Sequence, residues 1–596
     1  MTLPVSRRDL DFLLFEWLGV GALTQRPAFA DHGPETFAAA LDTAWAIAER
    51  EFLPHNRKAD LEEPRLENGR VIVVPEAKAA LDAFAAAGFL AMETPLDAGG
   101  MALPHVVAQA CFGLFDAANI ATASYPLLTI AAANLIDTFG SSDQKRRWLP
   151  AMRSGRVFGT MVLTEPHAGS SLGDVRTTAT PAGDGRYRVR GAKIFISGGD
   201  HELADNIVHL VLCRIAGAPP GVKGLSLMLV PKRLVGDDGS PGAANDVALA
   251  GLIHKMGWRG TTSTMLSFGE NDTCFGELIG EPGRGLAQMF HMMNEARIGV
   301  GLGAAMLGHA GYRHALAYAK ARPQGRPVDA KDPAAPQVAI VEHADVRRML
   351  LAQKAYAEGG LALCLYAARL VDEARTAPDG AARAAARRLL DILTPIVKAW
   401  PAEWCLEANK LAIQVHGGYG YTREYPVEQL YRDNRLNPIH EGTNGIQAID
   451  LLGRKVMMED GALLAELVGR IRATIDAAAS VASLSEFAGA LDASLADVGR
   501  ATAAARGALA AGEVRLALAN AAPYLDLLGH VVVAWLWLDQ AITAFRSASA
   551  ADAVFHAGKR AACAWFFRWE LPKVAHWANL VATLDPTTVE LDPGSL

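Results

Sequence analysis

The decapeptide Pro438-Ile-His-Glu-Gly-Thr-Asn-Gly-Ile-Gln447 carries one carboxylate, Glu441, followed at once by Gly442 and Thr443. It lies between an arginine-rich run (Arg423, Arg432, Arg435) and a stretch with helical spacing, Ile446 to Val456. An acid at such a junction can be held against a ligand and act as a general base. The alternative for an isolated Glu-Gly-Thr is a carboxylate in the first turn of a helix, favoured there by the helix dipole. Met161-Val-Leu-Thr-Glu-Pro-His-Ala-Gly-Ser-Ser171 offers hydroxyls, closely spaced backbone donors and a glycine-permitted turn, a set suited to the polar edge of a ligand. Gly191-Ala-Lys-Ile-Phe-Ile-Ser-Gly-Gly199 alternates like a half-buried strand through Ile194 and Ile196 while carrying Phe195 and Ser197 between them. In Gln414-Val-His-Gly-Gly-Tyr-Gly-Tyr421 the paired Gly417 and Gly418 let the backbone approach a phosphate or an adenine. Gly299-Val-Gly-Leu-Gly303 has the look of a dinucleotide fingerprint, but it follows no strand and lies in a helical stretch, so it reads as close helix packing.

The elements that must position these residues follow from periodicity. From Pro34 to about Phe158, Ala, Leu and Phe recur at helical spacing, broken by Pro and Gly clusters. Short apolar or alternating runs then take over: Val157 to Leu163, Tyr187 to Val189, Lys193 to Ser197, Ile207 to Ile215, Leu225 to Val230 and Thr264 to Phe268. Asp184-Gly185 between two of the strand candidates is a hairpin signal, and a small antiparallel sheet or barrel fits best. After Glu281 to Gly285 the helical pattern returns, interrupted by the Pro-rich loop Arg322 to Pro336. Beyond Lys455 the chain continues as Ala- and Leu-rich helices with an aromatic cluster (Trp535, Trp537, Trp565, Phe566, Phe567, Trp569, Trp577), read as core or interface packing over a membrane-facing surface.

A chain of 596 residues is too long for one core and predicts roughly three or four domains. The boundaries expected are a helical segment over 1–33, a helical domain over 34–158, a β domain over 159–281, a helical bundle over 282–455 and a helical extension over 456–596. A net charge of −7 argues against a nucleic-acid partner that needs a basic face. Cys111, Cys213, Cys274, Cys364, Cys405 and Cys563 are scattered without Cys-x-x-Cys pairs or histidines at ligand spacing, which predicts free thiols, a reducing compartment and no metal. Ser6-Arg7-Arg8, Phe12 to Leu23 and Ala28-Phe29-Ala30 mimic an export signal. Asp9, Asp11 and Glu16 interrupt it, however, and Leu10, Leu13, Leu14, Trp17 and Leu18 keep helical spacing, so the segment reads as an amphipathic helix docked on a soluble, cytoplasmic protein. The apolar run Val531 to Leu538 is too short to span a bilayer.

Taken together and in this order, the motifs resemble the acyl-CoA dehydrogenase family over Pro34 to Val456. The stretch Leu163 to Ser170 is similar to the family's Leu-Thr-Glu-Pro-x-Ala-Gly-Ser loop, which implies that Leu163, Thr164, Gly169 and Ser170 meet a flavin, Ser170 also lying toward CoA. Gly191 to Gly199 resembles Gly-x-Lys-x-Trp-Ile-Thr-Asn-Gly, with Phe195 for Trp and Ser197 for Thr, implying flavin contacts at Phe195, Ile196 and Ser197. His254 to Ser263 and Leu278 to Gly285 resemble the second β-domain signature and the exit into the bundle. Asn294-Glu-Ala-Arg297 corresponds to an Asp-x-x-Arg lining the acyl-CoA site, with Asn294 at the Asp position and Arg297 retained. Arg322 aligns with an Arg that reaches the flavin pyrophosphate from a neighbouring subunit, although the Phe of that motif is missing; a solvated surface Arg is the alternative. Gln414, Gly417 and Gly418 map to the adenylate half of FAD, which the family shares between protomers. The Tyr-Glu-Gly-Thr signature maps the base onto Glu441, a substrate contact onto Gly442 and a cofactor contact onto Thr443. His440 replaces the Tyr, either filling the aromatic's space or lowering the Glu441 pKa when protonated.

The resemblance implies an α+β, mainly α fold: an N-terminal helical domain, a central antiparallel β-barrel or sheet domain, a C-terminal helical bundle and an additional helical domain. It implies FAD as cofactor and α,β-dehydrogenation of an acyl-CoA thioester to the 2-enoyl-CoA, as in β-oxidation. The implied substrate is 3-methylmercaptopropionyl-CoA or a medium- or long-chain fatty acyl-CoA. The base must be desolvated so that its pKa rises toward the ~6–7 that tuned glutamates reach, and the thioester oxygen takes hydrogen bonds from the Glu441 amide and a flavin ribityl hydroxyl. Implied partners are an electron-transfer flavoprotein as acceptor and a second copy of the chain in a homodimer, with neither nucleic acid nor membrane span. The rival readings are an acyl-CoA oxidase, a DNA-binding flavoprotein of the alkylation-response kind and a flavin-binding scaffold without turnover.

Overall fold

The computed structural model describes residues 2–236, 239–547 and 551–596, without the side chains of residues 291–294. The chain forms two compact units: Thr36–Leu103 and Leu114–Ala296 with the first residues of the chain, and Pro4–Glu35, Pro104–Gly113 and Arg297–Leu596.

The first unit begins as helices, including Pro75–Ala86 and Ser142–Arg153, the latter opened by a capping box between Ser141 and Gln144. Phe52, Phe84, Phe89 and Phe115 interlock in its core, with the Phe84 and Phe52 ring centroids 4.8 Å and 4.9 Å from that of Phe115. Eight strands follow: β1 (Val157–Val162), β2 (Thr178–Gly183), β3 (Arg186–Ser197), β4 (Asn206–Ile215), β5 (Leu225–Pro231), β6 (Val247–Leu252), β7 (Ser263–Phe268) and β8 (Phe275–Ile279). They run in the order β6-β7-β3-β8-β5-β4-β1, with β2 beside β3 and β4. The hairpin expected at Asp184-Gly185 joins β2 to β3, both turn residues having positive φ (51° and 78°). The sheet departs from the expected all-antiparallel pairing at β1 and β2, which both run parallel to β4. Both faces of β4 and β5 are covered. Val208, Leu210, Leu212, Leu225, Leu227 and Leu229 pack against Ile136, Trp148 and Met152, while Val211, Cys213, Met228 and Val230 pack on Val189, Leu266 and Phe268. That double burial explains why these strands read as continuous apolar runs.

The second unit is helical. Its frame is α1 (Gly285–Ala321, from Arg297 onward), α2 (Ala344–Thr376), α3 (Gly380–His416), α4 (Val427–Asn434) and α5 (Asn444–Gly453). The glycine run on α1 is a packing device. A Cβ on Gly301 would stand 2.0 Å from the Val397 carbonyl oxygen of α3, so only glycine allows this approach. The extension adds Ala462–Ala479, Ser485–Ala510, α6 (Ala521–Arg546), α7 (Ala553–Trp565) and Lys573–Ala582. Helix α6 is apolar on every side because every side is packed: Trp537 Nε1 donates to the Ala355 carbonyl (3.1 Å) and Trp535 Nε1 to Thr474 (2.9 Å). The aromatic cluster is core, apart from Trp577, which is half-buried, and Trp569, which is exposed. Two helices among the described residues, His105–Phe139 and α6, are long and apolar enough to cross a membrane by composition, but 94% and 83% of their apolar windows are buried in the protein.

The N-terminal segment is docked in the second unit as its spacing predicts, with Leu10, Phe12, Leu13 and Leu14 buried. The acids that interrupt its apolar run are its anchors. Asp11 pairs with Arg7 (2.8 Å), Glu16 with Arg8 (2.6 Å), and the buried Asp9 with Lys559 of α7. Lys559 also holds Glu358 of α2 (3.0 Å), which Lys354 pairs in turn. Burial disfavours the Glu358 carboxylate, but the two lysines win and hold its pKa at about 2. Its stabilising contribution is therefore complete above the ordinary value of 4.5 and is lost as the pH falls toward about 2. Lys559→Met leaves both carboxylates buried without their shared cation and is expected to cost about 3–5 kcal/mol. A denaturation midpoint indistinguishable from that of the unaltered chain would contradict this account of the anchor.

Candidate active site

Glu441 lies in the short connection between α4 and α5, outside either helix. Helix α5 starts at Asn444, and Thr443 is its N-cap, the hydroxyl accepting from the Ile446 N–H (3.3 Å). The reading of Glu441 as a first-turn helical carboxylate therefore fails. Its backbone is left-handed, with φ 53°, a conformation that costs a non-glycine residue about 1–2 kcal/mol. The surroundings hold it there. Gln447 Nε2 donates to the carbonyls of Glu441 and Gly442 (3.3 Å each), and the Asn444 N–H closes the loop on the Pro438 carbonyl (3.0 Å). Gly442 has φ 87°, and a Cβ there would meet Gln447 Nε2 at 2.5 Å, so the strap needs glycine. Strain maintained by such a set of contacts is characteristic of functional positions.

Burial raises the Glu441 pKa, and the cations Lys398 and Arg297 partly oppose it. The direction is the one expected of a carbon-acid base. Arg297 is buried, and its guanidinium pairs with Asp450 of α5 (3.3 Å), which also holds Arg454 (2.6 Å). The side chain of Asn294, its expected companion, lies outside the described residues. His440 bonds through Nε2 to Asn437 Oδ1 (3.0 Å), and burial reinforced by Lys398 brings its pKa down to about 3. It is neutral near pH 7, so it fills space beside Glu441 and carries no charge to tune it. Sequence reasoning missed Lys398. It is a lone cation in the apolar run Ile392 to Trp400 of α3, and that isolation was the available signal.

In the first unit, the two hydroxyl-bearing motifs lock each other. Lys193 is fully buried and donates to the carbonyls of Leu163 and Leu212 (2.8 Å each) while pairing with Glu165 (3.0 Å). Glu165 accepts further from Thr177 Oγ1 (2.6 Å) and the Arg176 N–H (2.8 Å). Thr164 receives the Ile194 N–H (3.0 Å) on its carbonyl, and Gly169 and Ser170 remain exposed on the loop. Of the residues expected at the cofactor, Leu163 and Ile196 direct their side chains into the core, so their backbone groups are what they can offer a ligand. Phe195 is the opposite case: a large aromatic, 61% exposed, with φ 60°, at the register shift where β3 bulges against β7. The bulge re-aims this ring out of the strand, and Ser197 follows it on the same edge.

In the second unit, the surface expected to meet a nucleotide is open. Gln414, Gly417 and Gly418 are exposed at the end of α3, and no atom lies within 4 Å of a Cβ placed on either glycine. Arg322 reaches this surface, its guanidinium 5.7 Å from the centre of the Tyr419 ring.

Three contiguous family models cover the chain: the acyl-CoA dehydrogenase N-terminal domain (residues 34–156), middle domain (160–270) and C-terminal domain (283–457). A fourth, described as acetyl-CoA dehydrogenase C-terminal like, covers 467–592. The chain belongs to the acyl-CoA dehydrogenase family, and its cofactor is FAD. It is 39% identical to the 3-methylmercaptopropionyl-CoA dehydrogenase of Ruegeria pomeroyi over 90% of each chain. It is 35% identical to the broad-specificity linear acyl-CoA dehydrogenase FadE5 of Mycobacterium tuberculosis over 98% of each. The fold is that of Caenorhabditis elegans ACDH-11 in complex with C11-CoA, with a TM-score of 0.78 at 20% identity, covering 93% of this chain and 91% of that one.

Each unit by itself offers residues that fit such a cofactor: the first an outward aromatic in a strained backbone and loop hydroxyls, the second an open glycine pair beside an arginine. If Phe195 covers the flavin, Phe195→Ala is expected to leave the stability of the cofactor-free protein within about 0.5 kcal/mol, since the ring is exposed. Its FAD affinity is expected to fall by about threefold to tenfold, the worth of one aromatic contact. Fluorimetric FAD titration of both proteins decides this, and equal affinities would remove Phe195 from the cofactor site.

Proposed function

We propose that the protein dehydrogenates a linear acyl-CoA thioester between its α and β carbons, with Glu441 as the base and 3-methylmercaptopropionyl-CoA or a straight-chain acyl-CoA as substrate. The observation that carries the assignment of the base is the carboxylate of Glu441, half-buried in a strained backbone and with its pKa raised. Among the described residues the Glu441 N–H has no acceptor, which leaves it available to the thioester oxygen, where negative charge builds as the α-proton leaves. Glu441 receives that proton, and Gly442 presents no side chain to the thioester. FAD, when bound, supplies the acceptor for the hydride. Thr164, Ser170, Phe195 and Ser197 in the first unit are groups that would hold it; in a homodimer Arg322, Gln414, Gly417 and Gly418 would serve the pyrophosphate and adenylate half shared between protomers, with Thr443 a further cofactor contact. The substrate choice is supported by the identity to the Ruegeria enzyme and to FadE5 over nearly the whole chain.

The reading extends to an electron-transfer flavoprotein as electron acceptor, a cytoplasmic location and a homodimer in which the extension covers a surface that other family members give to a second dimer. Six buried free thiols agree with a reducing compartment. A tetramer in sedimentation equilibrium would overturn the dimer.

Anaerobic titration of the yellow protein with straight-chain, branched and 3-methylthiopropionyl thioesters, followed by flavin bleaching, tests reaction and substrate together. Glu441→Gln is expected to retain FAD and to slow bleaching by about a thousandfold or more, the upper part of the range for general-base catalysis. Rapid bleaching in that variant would remove the base assignment. Because the base works as the carboxylate and its pKa is raised, the rate of bleaching should fall with decreasing pH through a midpoint above 4.5.

A further inference from the structure

The strongest unexplained charge in the second unit is the ammonium of Lys398. The residue is fully buried in α3, and its side chain makes one hydrogen bond among the described residues, to Asn444 Oδ1 (3.3 Å). Asn444 turns its amide the other way, donating Nδ2 to Glu403 Oε2 (3.2 Å), and so presents its oxygen to the lysine. No carboxylate among the described residues lies within ion-pair distance of Nζ. An ammonium so placed costs several kcal/mol in desolvation, and a buried apolar side chain of the same volume would be no worse for the fold. Stability therefore does not explain it.

The charges around it show what it faces. Glu441 is approached by Lys398 from α3 and Arg297 from α1. Lys398 in turn feels Glu441, Arg297 and, on its own helix, Glu403, while His440 beside it is neutral. Arg297 is compensated by Asp450, its ion-pair partner at 3.3 Å. That leaves Lys398 as the one cation of this group without a carboxylate partner of its own. We infer that Lys398, oriented by Asn444, is the positioning residue of the base, directing a buried positive charge at the half-buried Glu441 carboxylate so that it remains ionised. The inference rests on the reading of Glu441 as the base. It places a division of labour on the loop: Gln447 fixes the backbone of Glu441, and Asn444, at the first turn of the same helix, fixes the charge beneath it. Burial brings the Lys398 pKa down to about 7, so this charge responds to pH near neutrality.

The test uses the FAD-loaded protein and two readouts. The first is the pH dependence of flavin reduction by whichever thioester bleaches the unaltered enzyme. The second, which needs no turnover, is the carboxyl infrared band of Glu441, isolated as the difference between each protein and its Glu441→Gln counterpart. Removing an opposite charge at this range raises a carboxyl pKa by about one unit or more. Lys398→Met should accordingly move both midpoints up by about one unit, slowing reduction about tenfold on the acid side of the profile and leaving the alkaline plateau within about threefold. Lys398→Arg should return both midpoints to the original values. Asn444→Asp, which gives the lysine an ion-pair partner in place of a neutral one, should shift the midpoints in the same direction, and it serves if Lys398→Met does not fold. Unmoved midpoints in a folded, FAD-containing Lys398→Met, or in Asn444→Asp where that variant stands in, would overturn the inference. If Glu441→Gln itself still reduced its flavin, the base assignment would fail first and separately.

Discussion

A carboxylate can remove a proton from carbon only where water does not compete for its charge, and taking it out of water raises its pKa toward the point where it no longer ionises. The helical unit is arranged around this conflict. Burial pushes the Glu441 pKa up, and Lys398 and Arg297 restrain it. Neither cation forms a close ion pair with the carboxylate; a tight pair would occupy the oxygens that a base needs free. Distance is thus as much a part of the arrangement as charge, and it is set by the packing of α1 on α3, where Gly301 admits the Val397 carbonyl into near contact.

The sheet unit meets the opposite requirement. Its contribution lies in groups displayed at the surface, so rigidity has to come from behind them. Lys193 and Glu165, members of the two most recognisable motifs, are buried and bond to each other and to five neighbouring backbone or hydroxyl groups. Between them they hold the loop of Thr164 to the strand of Phe195. Motif residues that look chemical in a sequence can thus be scaffolding, while the displayed group is an aromatic that alternation alone would have placed as an ordinary strand residue.

The extension and the N-terminal segment complete the helical unit as parts of its core. Helix α6 is apolar enough for a bilayer, yet its indoles donate into the bundle and it is enclosed. Of the acids of the N-terminal segment, Asp9 is bound by Lys559 far along the chain, while Glu16 is bound within the segment by Arg8. One buried lysine joins the beginning of the chain, the middle of α2 and the extension, so these regions are energetically one body within the unit.

What could be read without coordinates is what depends on local chemistry and period. The carboxylate in its Glu-Gly-Thr setting, the hydroxyl loop, the glycine pair at Gly417 and Gly418, the Asp184-Gly185 hairpin, the packing role of the glycines on α1 and the succession of helices, sheet and helices all lie within single windows of the chain. Tertiary structure alone decided which group each buried charge faces: Asn444 for Lys398, Asp450 for Arg297, Glu165 for Lys193, and Lys559 for Asp9. It also decided the parallel pairing of β1 with β4 and the outward turn of Phe195 at a bulge. The reason is the same in each case. Hydrogen bonding and hydrophobic period act over a few residues and leave a local trace, whereas the partner of a buried charge is fixed by which elements pack together, and no local window records that.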